Sequence, residues 1–261
     1  MHLPGRGSFP LVDDHLVEPE VTRDEIINGR RVVASPAHPP HAKQQTKLDY
    51  VLEAHVASGY TAATDLLTRQ AKESNFATDT CIYKDAIDPE TGARYLEEIA
   101  FEIVSEQTER EAAEKALVMG RRGVRRIFAL FIKGPRRVCE WSLQSESWRP
   151  LDPGSSIEDP CLVTPLAVKA LLDAAEAHKA VLTALAAQGN SALLEREAAA
   201  EARGEALGEA KAILKVLEAR GLAVSEAQRE KILGCHDREQ LDRWLQRAVL
   251  VSSAEEITSE S

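Results

Sequence analysis

"RYLEEIAFEIVSEQTEREAAEK" (residues 94–115) carries the decisive feature of the chain. Ile99 to Val104 have the apolar and β-branched character of a buried strand, yet Glu102 stands between Phe101 and Ile103. An ionised carboxylate left unpaired in the interior costs several kcal/mol. Glu102 is therefore protonated, or matched by a cation, or less buried than the pattern implies. The rest of the chain bears on which.

Downstream, Thr108 and Glu111 form a capping box. Ala112, Ala113, Ala116, Leu117 and Gly120 then give a small-residue helix face suited to lying on a sheet. Upstream, residues 60–70, 77–84 and 95–105 read as three strands, with the turn-rich "AIDPETGA" between the last two. "EIINGRRVVASP" (25–36) reads as a hairpin turning at Asn28-Gly29. Leu48, Val51, Leu52, His55 and Val56 are spaced as one face of a helix that Gly59 stops. "VRRIFALFIKG" (124–134) is a further apolar strand, and "RRVCEWSLQSESWRPL" one or two more. This order predicts an α/β fold: a mixed sheet flanked by helices.

The chain has 261 residues, enough for one substantial domain and an appendage. No apolar run approaches the roughly 18 residues that cross a bilayer, so no membrane partner is expected. The first 20 residues lack the pattern of a signal peptide. Cys81, Cys139, Cys161 and Cys235 form no CxxC pair, which suits a reducing, cytoplasmic setting better than a zinc site or a disulfide framework.

The net charge of -10 is uneven: roughly -3 over residues 1–20, near 0 over 21–150 and about -7 over 151–261. Acidity at the two ends does not exclude a nucleic-acid partner. "RRGVRRIFALFIKGPRR" (121–137) holds seven basic residues and no acidic one. Arg121, Arg122, Arg125 and Arg126 are its candidates for phosphate contact, although a run like this is also what a solvated face looks like.

Residues 1–22, rich in Pro, Gly and acidic groups, read as a poorly ordered lead-in, and 23–153 as the sheet domain. Residues 164–221 are Ala- and Glu-rich. Thr164-Pro165 offers a helix start there, and Gly189, Gly204 and Gly208 predict breaks. Residues 222–261 read as a small helical end module with caps at Ser225, Asp237 and Ser253 and with Trp244 as core anchor. A homodimer, or helix-mediated contacts through a coiled-coil-like tail, is one expectation for this part; a solvated helical extension is the other.

Asp79 interrupts "FATDTCIY" as Glu102 interrupts its own strand. If the two strands are neighbours, both acids project from one region and repel unless a cation lies between them. Magnesium (or manganese) resolves this, because Mg²⁺ takes oxygen ligands, needs only one or two carboxylates and keeps water and substrate phosphate in its other positions. A backbone carbonyl near Ile103 could add a ligand. Lys115, about two turns into the following helix, has a stem long enough to follow the apolar face and bring its ammonium to the polar centre. Each residue alone has an ordinary structural role open to it: a strand acid paired with arginine, a surface lysine. The acid–acid–lysine order is the more specific signal.

On these residues the chain resembles the bacterial Uma-type restriction endonuclease family of the PD-(D/E)XK nuclease superfamily. The resemblance runs from about Asp24 to Trp148, through "EIINGRRVVASPAHPPH", "TDTCIY", "FEIVSEQT" and "KALVMGRRGVRRIFALFI". It implies a restriction-endonuclease-like sheet and Mg²⁺-dependent (or Mn²⁺-dependent) hydrolysis of DNA, with Asp79 and Glu102 holding the ion. The superfamily lysine would fall at Val104; this family carries one on the next helix instead, which Lys115 matches. Glu25 and His41 also fall where the family has these residue types, and the four arginines flank the end of the Lys115 helix. Thr78 replaces a usual proline, and Met119 a common aromatic. An inactive nuclease-like module that binds DNA or assembles with partners is the alternative.

Overall fold

The computed structural model describes residues 24–33 and 38–258 of the protein. The expected lead-in 1–22 and the end of the hairpin segment at 34–36 lie outside those residues. The described chain forms two compact units, one ending at Gln188 and one beginning at Gly189.

The first unit opens with a hairpin of β1 (Asp24–Ile27) and β2 (Arg30–Val33). Asn28 and Gly29 both take positive φ, 50° and 74°, as the two-residue turn requires. Helix α1 (Pro39–His55) follows, then the long β3 (Tyr60–Ala71) and β4 (Ser74–Lys84) pair, and β5 (Glu97–Val104). Helix α2 (Glu109–Arg122) starts on the capping box of Thr108 and Glu111 and ends on Gly123, whose φ of 119° suits a residue without Cβ. Strands β6 (Arg126–Phe131), β7 (Arg137–Ser142) and β8 (Ser147–Pro150) complete the sheet.

The strand order is β2-β1-β4-β5-β6-β7-β8, with β3 on the other edge of β4. Only β5 and β6 run parallel, joined through α2 as a parallel crossover demands; the other pairs are antiparallel. The protein is thus an α/β fold with a mixed sheet flanked by helices. Leu48, Val51 and Leu52 of α1 cover one face, over Ile82, Ile99, Phe101, Ile103, Phe128 and Leu130. On the opposite face, Ala116 and Met119 of α2 pack with Ala100 and Ile127, and Ala112 with Val104 and Ala129.

The segment after residue 153 departs from expectation. Thr164-Pro165 does not start a helix: Leu166–Ala167 (β10) pairs with Ser156–Ile157 (β9), and a 3-10 turn at Val168–Leu171 follows. Helix α3 (Ala174–Ala187) begins instead on Asp173, whose carboxylate accepts from the Glu176 N–H at 3.0 Å. Its Ala177 and Val181 join the α1 side of the core. Burial of that face ties α3 to the sheet unit rather than to the tail.

The second unit is helical. Gly189 ends α3 with φ 72°, but Gly204 and Gly208 lie within one continuous helix, α4 (Ser191–Ala219). A helix interior tolerates an isolated Gly at about 1 kcal/mol, and the Ala, Glu, Leu and Arg around these two carry the turn through. α5 (Glu226–Leu233) and α6 (Arg238–Ala248) pack on α4, and the short α7 (Glu255–Thr258) packs on α5 and α6. Ser225 and Asp237 cap α5 and α6 as their sequences imply, and Trp244 is buried with Ile213, Leu217 and Leu241.

Candidate active site

β4 carries two neighbours on one edge. β5 pairs with it from Thr80 to Tyr83, and β1 meets it at Asn75. On that edge, among the described residues, the stretch between has no strand beside it, so its main-chain groups there and those of β5 beyond Phe101 need other partners. Carboxylates supply them. Asp79 Oδ2 accepts from the Ile103 N–H at 2.6 Å, and Glu25 Oε1 accepts from the Ala77 N–H at 3.2 Å. Opposite Asp79, Asp65 interrupts the β3–β4 pairing with φ 51°. Past that kink the hairpin curls, and Thr68 on β3 hydrogen-bonds Glu97 on β5 although β4 lies between them in the sheet.

Alternation along β5 puts Ile99, Phe101 and Ile103 on the α1 face and Ala100, Glu102 and Val104 on the α2 face. Glu102 is only 1% exposed, so the burial expected from sequence is real. Lys115 Nζ lies 3.7 Å from Glu102 Oε2, and closer to Glu25, at 2.9 Å from Oε2 and 3.1 Å from Oε1. The ring of Phe76 lies 5.2 Å from the same ammonium. Glu102 Oε1 is buried with no hydrogen-bond partner among the described residues.

Burial pushes the Glu102 carboxyl up, to about 8; Lys115 works against that rise, while Asp79 and Glu25 add to it. Burial by itself would lower the Lys115 ammonium, but Glu102 and Glu25 more than offset it, and the net direction is upward. His41 joins the site from the start of α1, with Nε2 3.4 Å from Asp79 Oδ1 and Nδ1 3.3 Å from Ser105 Oγ. Its hydrogen bond to Asp79 raises its pKa, against the effect of burial.

Asp79, Glu102, Lys115, Glu25 and His41 thus stand together at one end of β5. Among the described residues no group of three or more His, Cys, Asp or Glu side chains is arranged to hold an ion. Glu25 is taken up by Lys115, and the Asp79 and Glu102 carboxylates remain for an ion, the latter with an unsatisfied buried oxygen. The Ile103 carbonyl accepts from Gln107 Nε2 at 3.4 Å. That donor set is all oxygen and incomplete, which fits an ion that keeps water and substrate in its shell and does not fit a closed structural site.

Arg125 and Arg126, two of the candidates for phosphate contact, are both ion-paired. Arg125 pairs with Asp159 at 2.8 Å and Glu98 at 2.8 Å, and Arg126 with Glu140 at 2.6 Å and Asp159 at 3.3 Å. Burial would raise the Asp159 carboxyl, but Arg125 and the Cys161 N–H hold it well below the usual carboxylate range. Arg121 pairs with Glu146 on the surface at 3.0 Å, and the Nε of Arg122 is buried. Arg126 is also the register partner of Ile99, three residues before Glu102 on β5. At about 3.3 Å per residue, this cluster sits roughly 10 Å along the strand from Glu102.

The sequence did not point to Gln45, whose Nε2 donates to the Asp79 carbonyl and to Asp65 Oδ1, each at 3.1 Å. Its signal is the four-residue step from His41, which puts both on one helix face. Ser105 and Gln107 were equally silent, because their partners are known only once β5 and α1 are docked.

No protein-family model matches the chain, and no curated protein matches it. A crystal structure of a "putative nuclease belonging to DUF820" from Anabaena variabilis is similar over 57% of this chain and 88% of that one, with 16% sequence identity and a TM-score of 0.47.

Proposed function

We propose that the protein is a metal-dependent endonuclease that hydrolyses phosphodiester bonds of DNA. One observation carries this reading: the Glu102 carboxylate is buried with an unsatisfied oxygen, in a site that also contains Asp79 and Lys115. A buried acid without a full set of partners costs free energy, and a site that keeps one is a functional candidate. A bound Mg²⁺ or Mn²⁺ would supply an activated water and neutralise charge on the scissile phosphate.

The protein's own groups then have separate tasks. Asp79 and Glu102, with the Ile103 carbonyl, would hold the ion. Glu25 keeps the Lys115 ammonium charged and oriented, and Lys115 stabilises negative charge as it grows on the phosphate. His41, steadied by Ser105, keeps Asp79 aligned. Water adds to phosphorus, the ester P–O bond breaks, and the leaving oxygen takes up a proton.

Nicking of supercoiled plasmid in Mn²⁺ tests this. The wild type should nick; Glu102→Gln, which keeps the shape of the side chain, should lose the activity by at least about 100-fold, as removal of a main electrostatic group does. Equal rates in the two proteins would reject the site. Lys115 is nearer Glu25 than Glu102, which favours a second reading, a DNA-binding module without catalysis. DNA binding with no metal-dependent nicking would select it.

A further inference from the structure

With Arg121, Arg125 and Arg126 paired to carboxylates and Arg122 half-buried, other cations are better placed to meet the phosphates of a DNA substrate. We infer that they are met by a basic rim formed by Lys43 and Lys47 of α1, Arg136 of the β6–β7 loop and Lys169 of the 3-10 turn. This inference rests on the nuclease reading and names the surface that presents DNA to the site.

The rim is joined to the site by a chain of contacts. His41 at the start of α1 touches Ser105, just past β5. The Ile132 N–H donates to the Val104 carbonyl at 3.1 Å, which lays the loop after β6 beside that segment, and Lys133 pairs with Glu106 at 3.6 Å. Arg136, farther along the same loop, and Lys47 both donate to the Leu172 carbonyl, at 3.4 and 3.0 Å. Gln44 Nε2 donates to the neighbouring Leu171 carbonyl at 2.6 Å and returns the chain to α1.

Two cationic heads aimed at one neutral carbonyl is an arrangement with charge left over. Among the described residues, neither Lys47 nor Arg136 forms an ion pair, and the same holds for the exposed Lys43 and Lys169. Asp173, the carboxylate beside them, caps α3 and its charge acts on Lys47, but it forms no ion pair with that lysine. A phosphate binding here displaces no carboxylate. At Arg125 or Arg126 it would have to break ion pairs first. A polyanion therefore gains more on the rim, where counterion release adds to the Coulomb attraction.

Fluorescence anisotropy with a short labelled DNA duplex tests this, in the Glu102→Gln background so that no cleavage intervenes. The double variant Lys47→Gln/Arg136→Gln should weaken binding and lower the slope of log K against log salt by about 2, one for each lost phosphate contact. Lys47→Arg/Arg136→Lys should keep both affinity and slope, and Arg121→Gln should change neither. Lys43→Gln/Lys169→Gln removes no hydrogen bond to the protein and should give the same loss without disturbing the fold. Unchanged slopes in both Gln pairs, or the loss appearing with Arg121→Gln, would overturn the rim. Metal-dependent nicking that depends on Glu102 would still stand in that case, so the two proposals fail separately.

Discussion

Asp79 accepts a hydrogen bond of 2.6 Å from the main-chain N–H of Ile103, one residue past Glu102. The antiparallel pairing of β4 with β5 ends at Thr80 and Phe101, so this side chain does the work of the missing ladder bond. It also fixes one carboxylate oxygen next to the strand that carries the other acid. Fold and candidate chemistry share the residue, and substitutions can separate them. Asp79→Asn retains an acceptor for Ile103 and should unfold in urea within about 1 kcal/mol of wild type, while losing metal binding. Asp79→Ala leaves a partly buried N–H unsatisfied and should cost about 1–3 kcal/mol.

Glu102 gives a pH dependence with a defined sign. Its carboxyl is raised from 4.5 to about 8 by burial, so between those values the folded protein keeps a proton that the unfolded chain has lost. Stability from this group therefore falls as pH rises across that window and levels off above it. His41 is raised too and contributes in the same direction above its ordinary value, so wild type must be compared with Glu102→Gln at each pH, which cancels it. The difference between their unfolding free energies should move in favour of Glu102→Gln as pH rises from 5 to 8, by an amount on the order of a few kcal/mol. A difference that is flat with pH would mean that Glu102 is not buried as described.

The tail offers a test independent of any chemistry. Trp244 is 7% exposed in a core of Ile213, Leu217, Ile232 and Leu241. Trp244→Ala should destabilise this unit by about 3–5 kcal/mol. Because the chain divides at Gly189, hydrogen exchange should show lost protection in α4 to α6 and little change in β4 to β6. Equal loss in both would mean that the two units fold as one.

Local chemistry was legible in the sequence, and distant pairing was not. The Asn28-Gly29 turn, the Thr108–Glu111 capping box and the buried strand Ile99–Val104 are decided within a few residues, and the structure has each of them. The interruption of two strands by Asp79 and Glu102 marked the site for the same reason. Lys115 and Glu25 lie 90 residues apart, and Arg125 and Asp159 lie 34 apart, so nothing local could pair them. Thr164-Pro165 has the residues of a helix start, but Leu166 was recruited to a strand by Ile157. Gly204 and Gly208 were read as breaks from propensity alone, which neighbouring helix formers outweigh.

The central claim is that Asp79 and Glu102 bind one divalent ion together. Isothermal titration of Mn²⁺ into the protein at a pH above 8, where Glu102 is ionised, tests it most directly. One site per chain is predicted in wild type, weakened at least tenfold in both Asp79→Asn and Glu102→Gln and tightening as pH rises toward about 8. Mn²⁺ binding that is the same in all three proteins, or absent from a folded wild type, would contradict it.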